Sequence, residues 1–156
     1  KNLVKFMHRI YTIFDTIAEQ HNITKIKTNG DQYIAAAGLD TARLSAYETS
    51  QHCCEFALAI SKEFEIEAGV DIGIKIGIAS GNAISGIIGH SRPAFDVWGN
   101  TMNLASRLES TAANREIQVC QQTMLYSMQH YEFCPGAIKQ LKGLGQVTVY
   151  KLLGKK

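Results

Sequence analysis

Phe95-Asp-Val-Trp-Gly-Asn-Thr-Met-Asn-Leu-Ala-Ser-Arg107 changes its period part-way along. Phe95 to Trp98 is short and aromatic-flanked, as a strand is. From Asn100 to Ser110 the apolar residues Met102, Ala105 and Leu108 fall at helical steps. The spacing predicts strand, turn, helix. Asp96 sits on the strand, while Asn103 and Arg107 are four apart and share one helix face. A strand carboxylate beside a face bearing Asn and Arg can hold a polar ligand. The same spacing also suits an ordinary strand aspartate and a surface Asn–Arg pair.

Outward from this stretch the pattern alternates between helices and hairpins. Leu3, Phe6, Met7, Ile10, Ile13, Phe14 and Ile17 predict an amphipathic helix over residues 2–20, ended by Asn22. Ile23 to Thr28 and Gln32 to Ala37 read as paired strands, with Asn29-Gly30 as a type I′ turn signal. Gly38 to Thr49 reads as a loop entering a helix that carries Cys53, Phe56, Ala57, Ile60 and Phe64. Ile72, Ile74, Ile76 and Ile78 alternate strictly and predict a half-buried strand. Ala83 to Ile88 and Ile117 to Cys120 read as further strands, and a short helix follows near residues 122–129. The tail predicts strands near Glu132-Phe133, Ala137 to Leu141 and Val147 to Leu152. No repeat or linker divides the chain. This mixture predicts one α+β domain, a sheet covered by helices.

Composition narrows the class. The chain has 156 residues, 46% hydrophobic, with 13 glycines, 2 prolines and a net charge of +2. That excludes disordered, fibrous and Pro-rich types, and it offers no broad basic surface for nucleic acid or membrane. The uncharged run from Ile76 to Ser91 is too short and polar for a span of about 20 apolar residues. No signal peptide opens the chain. Four cysteines show no CxxC or Cys/His ligand spacing, so we expect free thiols in a reducing compartment.

Three further segments carry chemistry. Lys25-Ile-Lys-Thr-Asn-Gly-Asp31 puts a carboxylate just past a tight hairpin tip, exposed and able to meet a cation; it also reads as a turn aspartate. Gly77-Ile-Ala-Ser-Gly81, with Gly86 and Gly89, matches neither GxxxxGK[ST] nor GxGxxG and also reads as a tightly packed glycine-rich hairpin. In Lys139-Gln-Leu-Lys142-Gly-Leu-Gly145 a lysine precedes Gly-x-Gly, where it can reach a phosphate or stay solvated.

In this order, Lys25 to Tyr33, Ile74 to Gly81, Gly86 to Gly89 and Phe95 to Thr111 resemble the catalytic domain of class III nucleotidyl cyclases. The resemblance runs from the first helix through Lys142-Gly143. It implies a ferredoxin-like α+β fold, with a mixed, mainly antiparallel sheet and helices packed on it. It implies conversion of a nucleoside triphosphate into a 3′,5′-cyclic nucleotide and pyrophosphate, using two Mg²⁺ or Mn²⁺ ions. Asp31 matches the second metal aspartate, Asn103 the ribose-orienting asparagine, Arg107 the arginine at the reacting phosphate and Lys142 a lysine on the terminal phosphates. Lys27 and Asp96 match the purine-selecting pair. Lysine only donates and ionised aspartate only accepts, which fits adenine's N1 acceptor and N6 donor and opposes guanine's N1–H and O6. ATP is therefore the expected substrate.

The resemblance also implies a homodimer with active sites at the interface, a heterodimer being the alternative, and a cytoplasmic domain whose parent protein can be membrane-anchored. Neither nucleic acid nor membrane is an expected partner of the domain itself. Family members begin with a strand that carries the first metal aspartate. This chain starts on the helix after it, and Asp15 lies in the wrong context to substitute. We therefore expect a single domain over residues 1–156, truncated at its N-terminal strand, one metal ligand short and by itself inactive. A catalytically silent partner module and, less favoured, a guanylate cyclase are the alternatives.

Overall fold

Ile10, Phe14 and Ala18 are the buried stripe of α1 (Asn2–Gln20), as the helical spacing predicts. A computed structural model describes residues 2–39, 44–69 and 71–156. Strands β1 (Thr24–Asn29) and β2 (Gln32–Ala36) form an antiparallel ribbon. Helix α2 (Ala46–Ala68) starts at a capping box in which the Ser45 and Glu48 side chains serve each other's backbone N–H, and ends at Gly69 with φ 82°. The connection expected from Gly38 into α2 falls partly on residues 40–43, outside the described residues.

Next come β3 (Ile76–Ile78), β4 (Ile84–Ile88), β5 (Ala94–Trp98), α3 (Asn100–Ser110), β6 (Ile117–Cys120) and α4 (Gln121–Ser127). The chain ends with β7 (Tyr131–Phe133), β8 (Ala137–Leu141) and β9 (Gly145–Lys155). A five-stranded sheet runs β3-β6-β9-β7, and β8 also pairs with β9. The β3–β6 pair is parallel and the others antiparallel, so the expected mixed, mainly antiparallel sheet is present. Ribbons β1–β2 and β4–β5 stand outside this sheet.

Strand β6 is buried on both faces. Ile117 and Val119 join Cys54 and Ala57 of α2 beneath one face. Cys120 meets Leu108 of α3, Leu141 and Val149 on the other. A third cluster joins α1 to α2 through Phe14, Phe56, Ile60 and Phe64, with Tyr33, Ala35, Ile74 and Ile76 packed against it. Helices therefore cover both sides of the sheet, and α3 is held on the face opposite α2.

Two local expectations are corrected. The hairpin turn is Gly30-Asp31, one residue later than Asn29-Gly30, because Asn29 still pairs with Gln32. Of these residues only Gly30 takes positive φ, 63°, as a turn with glycine first requires. The strand expected from Ile72 is confined to Ile76–Ile78. Its partner β6 begins only at Ile117, and Ile72 is exposed. Before that point the chain is held by single bonds, Arg115 N–H to the Ile74 carbonyl and Ile76 N–H to the Glu116 carbonyl.

Candidate active site

Strand β1 is irregular where it matters. Lys25 pairs with Ala35 and Lys27 with Ile34, so β1 gains a residue on its partner at Ile26. Such a bulge re-aims the side chains beyond it. Past the bulge, the Lys27 Nζ donates to Asp96 Oδ2 at 2.8 Å, joining the β1–β2 ribbon to β5 across 69 positions of sequence. Asp96 Oδ1 accepts the Val97 N–H at 2.8 Å. The Lys27 ammonium first, and then that N–H, hold the Asp96 carboxyl below the usual carboxylate range. The Asp96 side chain is 14% exposed and that of Lys27 is 47% exposed, so the pair lies at a surface that a ligand can reach.

Asp31 is itself a turn residue and is exposed. Its turn is pinned from α1, where the Tyr11 hydroxyl donates to the Gly30 carbonyl at 3.0 Å. Burial raises the Tyr11 pKa, and the charge of Asp31 raises it further, which places the carboxylate near that phenol. Gln32 Nε2 donates to Glu109 Oε1 at 3.1 Å and ties the same turn to α3. No sequence spacing pointed to Tyr11 or to the Gln32–Glu109 link. A hydroxyl on an otherwise apolar helix stripe is the only trace the first leaves.

Helix α3 approaches β3 as closely as backbones can. A Cβ at Gly77 would strike the Ala105 carbonyl oxygen and the Glu109 nitrogen. The glycine-rich segment thus serves packing here, as its alternative reading held. At the other end of α3, the Thr101 hydroxyl donates to the Asn82 carbonyl at 2.6 Å. Asn103 is exposed and Arg107 half-buried on the helix so fixed, and Lys142 is exposed in the turn between β8 and β9. The structure brings Lys27 and Asp96 into direct contact. Among the described residues, Asp31, Asn103, Arg107 and Lys142 make no side-chain hydrogen bond or ion pair with one another. Among the described residues, no group of three or more His, Cys, Asp or Glu is gathered as a metal cluster.

Residues 1–154 match the family model of the adenylate and guanylate cyclase catalytic domain. The chain belongs to this family. Among curated relatives of the cyclase domain, an adenylate cyclase of Mycobacterium tuberculosis is 30% identical over 99% of this chain and 35% of its own length. The germination-specific adenylate cyclase of Dictyostelium discoideum is 33% identical over 100% of this chain and 19% of its own length. Guanylate cyclase D of Mus musculus is 32% identical over 98% of this chain and 14% of its own length. The cyclase domain thus spans about a third or less of these relatives. Among solved structures, the guanylate cyclase domain of RhGC from Catenaria anguillulae, in complex with GTP, superposes with a TM-score of 0.90 at 25% identity, over 99% of this chain and 85% of that one. The adenylyl cyclase CyaB from P. aeruginosa shares the fold, with a TM-score of 0.86 at 21% identity over 99% and 84%. The α+β cyclase fold is therefore established, as is nucleotidyl cyclase membership. No helix among the described residues is long and apolar enough to cross a membrane.

Proposed function

We propose that this cyclase domain is of the adenylate type and converts ATP into 3′,5′-cyclic AMP and pyrophosphate. The observation that carries this reading is the Lys27–Asp96 pair. One of the three ammonium protons is engaged by Asp96, which leaves donors for the N1 acceptor of adenine. The carboxylate, held ionised by its neighbours, keeps acceptor capacity for the N6 amino group. Guanine would meet a donor with a donor and an acceptor with an acceptor. Mismatched polar groups of this kind support discrimination on the order of 10⁴.

The other residues take the roles their matches imply. Asn103 orients the ribose. Arg107, always charged and with fixed donors, stabilises charge at the α-phosphate during attack by the 3′-hydroxyl. Lys142 holds the terminal phosphates as a point charge. Asp31 suits a hard divalent ion such as Mg²⁺ or Mn²⁺. Its carboxylate is exposed and rigidly mounted, and such ions take one or two carboxylates and complete their shell with phosphate oxygens and water. When bound, the metal supplies charge for the departing pyrophosphate and acidity for the attacking hydroxyl.

Homodimerisation completes the reading. The β4–β5 ribbon that carries Asp96 exposes Ile84, Ile87, Ile88, Phe95 and Trp98, an apolar surface suited to burial against a second copy. ATP as substrate and four free thiols support a cytoplasmic setting. The test is a competition assay on the full-length protein with ATP, GTP and Mn²⁺. Cyclic AMP is the expected product. Cyclic GMP as the main product would overturn the adenylate assignment, and the absence of both would favour a silent partner module.

A further inference from the structure

Helix α3 ends in a polar chain built around one buried amide, with its far end on another element. Gln118 of β6 is fully buried and spends every polar atom. Its Nε2 donates to the Leu108 carbonyl at 2.7 Å and to the Thr111 hydroxyl at 3.0 Å. Its Oε1 accepts from the Lys139 ammonium, which also donates to the Thr111 carbonyl at 3.1 Å. The Thr111 hydroxyl in turn donates a hydrogen bond to the Arg107 carbonyl at 2.6 Å. Because lysine can only donate, the amide has one orientation that satisfies the chain. Donors and acceptors then run in a single direction, from Lys139 through Gln118 and Thr111 to the backbone of Arg107.

The two ends of this chain are informative. Lys139 lies on β8, three residues before Lys142, and a strand rise of about 3.3 Å per residue puts the Lys142 turn roughly 10 Å further along. The other end is the main chain of Arg107. We propose that Lys139 and Gln118 are positioning residues that set the C-terminal turn of α3, and with it Arg107, relative to the Lys142 hairpin. This rests on the cyclase reading given above, in which Arg107 and Lys142 meet the same triphosphate. Capping alone asks for less. The last helix carbonyls need any donor, whereas the buried Gln118 amide must have all its donors and acceptors met at once, and that fixes α3, β6 and β8 against one another. The lysine also sets a positive charge at the helix C-terminus, where the dipole favours it.

The experiment compares Lys139→Met, Lys139→Arg and Gln118→Glu in the full-length protein. Phe64→Leu, in the α1–α2 cluster that contains none of these residues, serves as a control for lost stability. Misplacing a reacting group by even a fraction of an ångström is costly, so Lys139→Met is expected to lower kcat about tenfold while KM for the triphosphate changes less than about threefold. Lys139→Arg should recover at least half of that kcat, and Gln118→Glu, which cannot donate to Leu108 or Thr111, should behave like Lys139→Met. Hydrogen exchange at the amides of residues 105–112, read without nucleotide, should speed up in Lys139→Met and return in Lys139→Arg. An active protein whose Lys139→Met variant keeps its kcat would overturn the positioning role alone. So would a Phe64→Leu variant that loses kcat equally at matched Tm, or unchanged exchange. A wild-type protein that turns over neither ATP nor GTP would overturn the cyclase reading, and the positioning role with it.

Discussion

Gly77 has no Cβ, and the backbone of α3 occupies the space one would take. Gly77→Ala therefore moves a helix rather than a flexible side chain. The expected cost is about 2–3 kcal/mol in denaturant unfolding, in the range of overpacked cores. Activity should fall further than stability, because α3 carries Asn103 and Arg107. At the same scale, Asp96→Ala should lower kcat/KM for ATP by about tenfold or more and narrow the preference over GTP, read in paired steady-state assays. Residue-level legibility was uneven. Asp96, Asn103 and Arg107 stand within a dozen positions of one another, and strand and helix periods alone place them. The Lys27–Asp96 contact spans 69 positions, and only the family resemblance linked its halves. Gln118 reads as one polar residue of the Ile117–Cys120 strand, and Lys139 as one polar residue of the Ala137–Leu141 strand. Their chain to Arg107 exists only once β6, β8 and α3 are stacked.

Two ribbons meet at the site, and their joint is electrostatic. Folding depresses the Asp96 pKa, so the stability it contributes is fully present above the ordinary value of about 4 and is lost as pH falls through the lower folded value. The difference in Tm between wild type and Asp96→Asn should therefore be constant near neutrality and close below about pH 4. The Asp31 turn hangs from α1 by one hydroxyl. Tyr11→Phe should cost about 1 kcal/mol and weaken Mn²⁺ binding, measured by titration calorimetry, because the Gly30 carbonyl loses its donor. Helix limits were easy to read from sequence: α1 and α3 begin and end as expected. The hairpin turn shifted by one residue because Asn-Gly and Gly-Asp are both good turn pairs, and cross-strand register decides between them. The third strand shortened because alternation records a buried face, whereas a ladder also needs a partner of equal length.

At the scale of the whole molecule, the interfacial reading has a direct consequence. If Asp31 of one copy and Arg107 of its partner serve the same site, Asp31→Asn and Arg107→Ala are each inactive alone yet complementary when mixed. Random reassortment gives half mixed dimers with one intact site each, so about a quarter of wild-type activity should return. Recovery near zero, with dimers confirmed by ultracentrifugation, would mean that each chain builds its own site.

The placement of β1–β2 and β4–β5 outside the five-stranded sheet has an evolutionary consequence. The two residues proposed to read the base sit on peripheral ribbons, while β6, β9 and the clusters around them hold the fold together. Substrate choice can drift without eroding the scaffold. Relatives named for either nucleotide, each roughly a third identical to this chain, are what such a division of labour would leave behind.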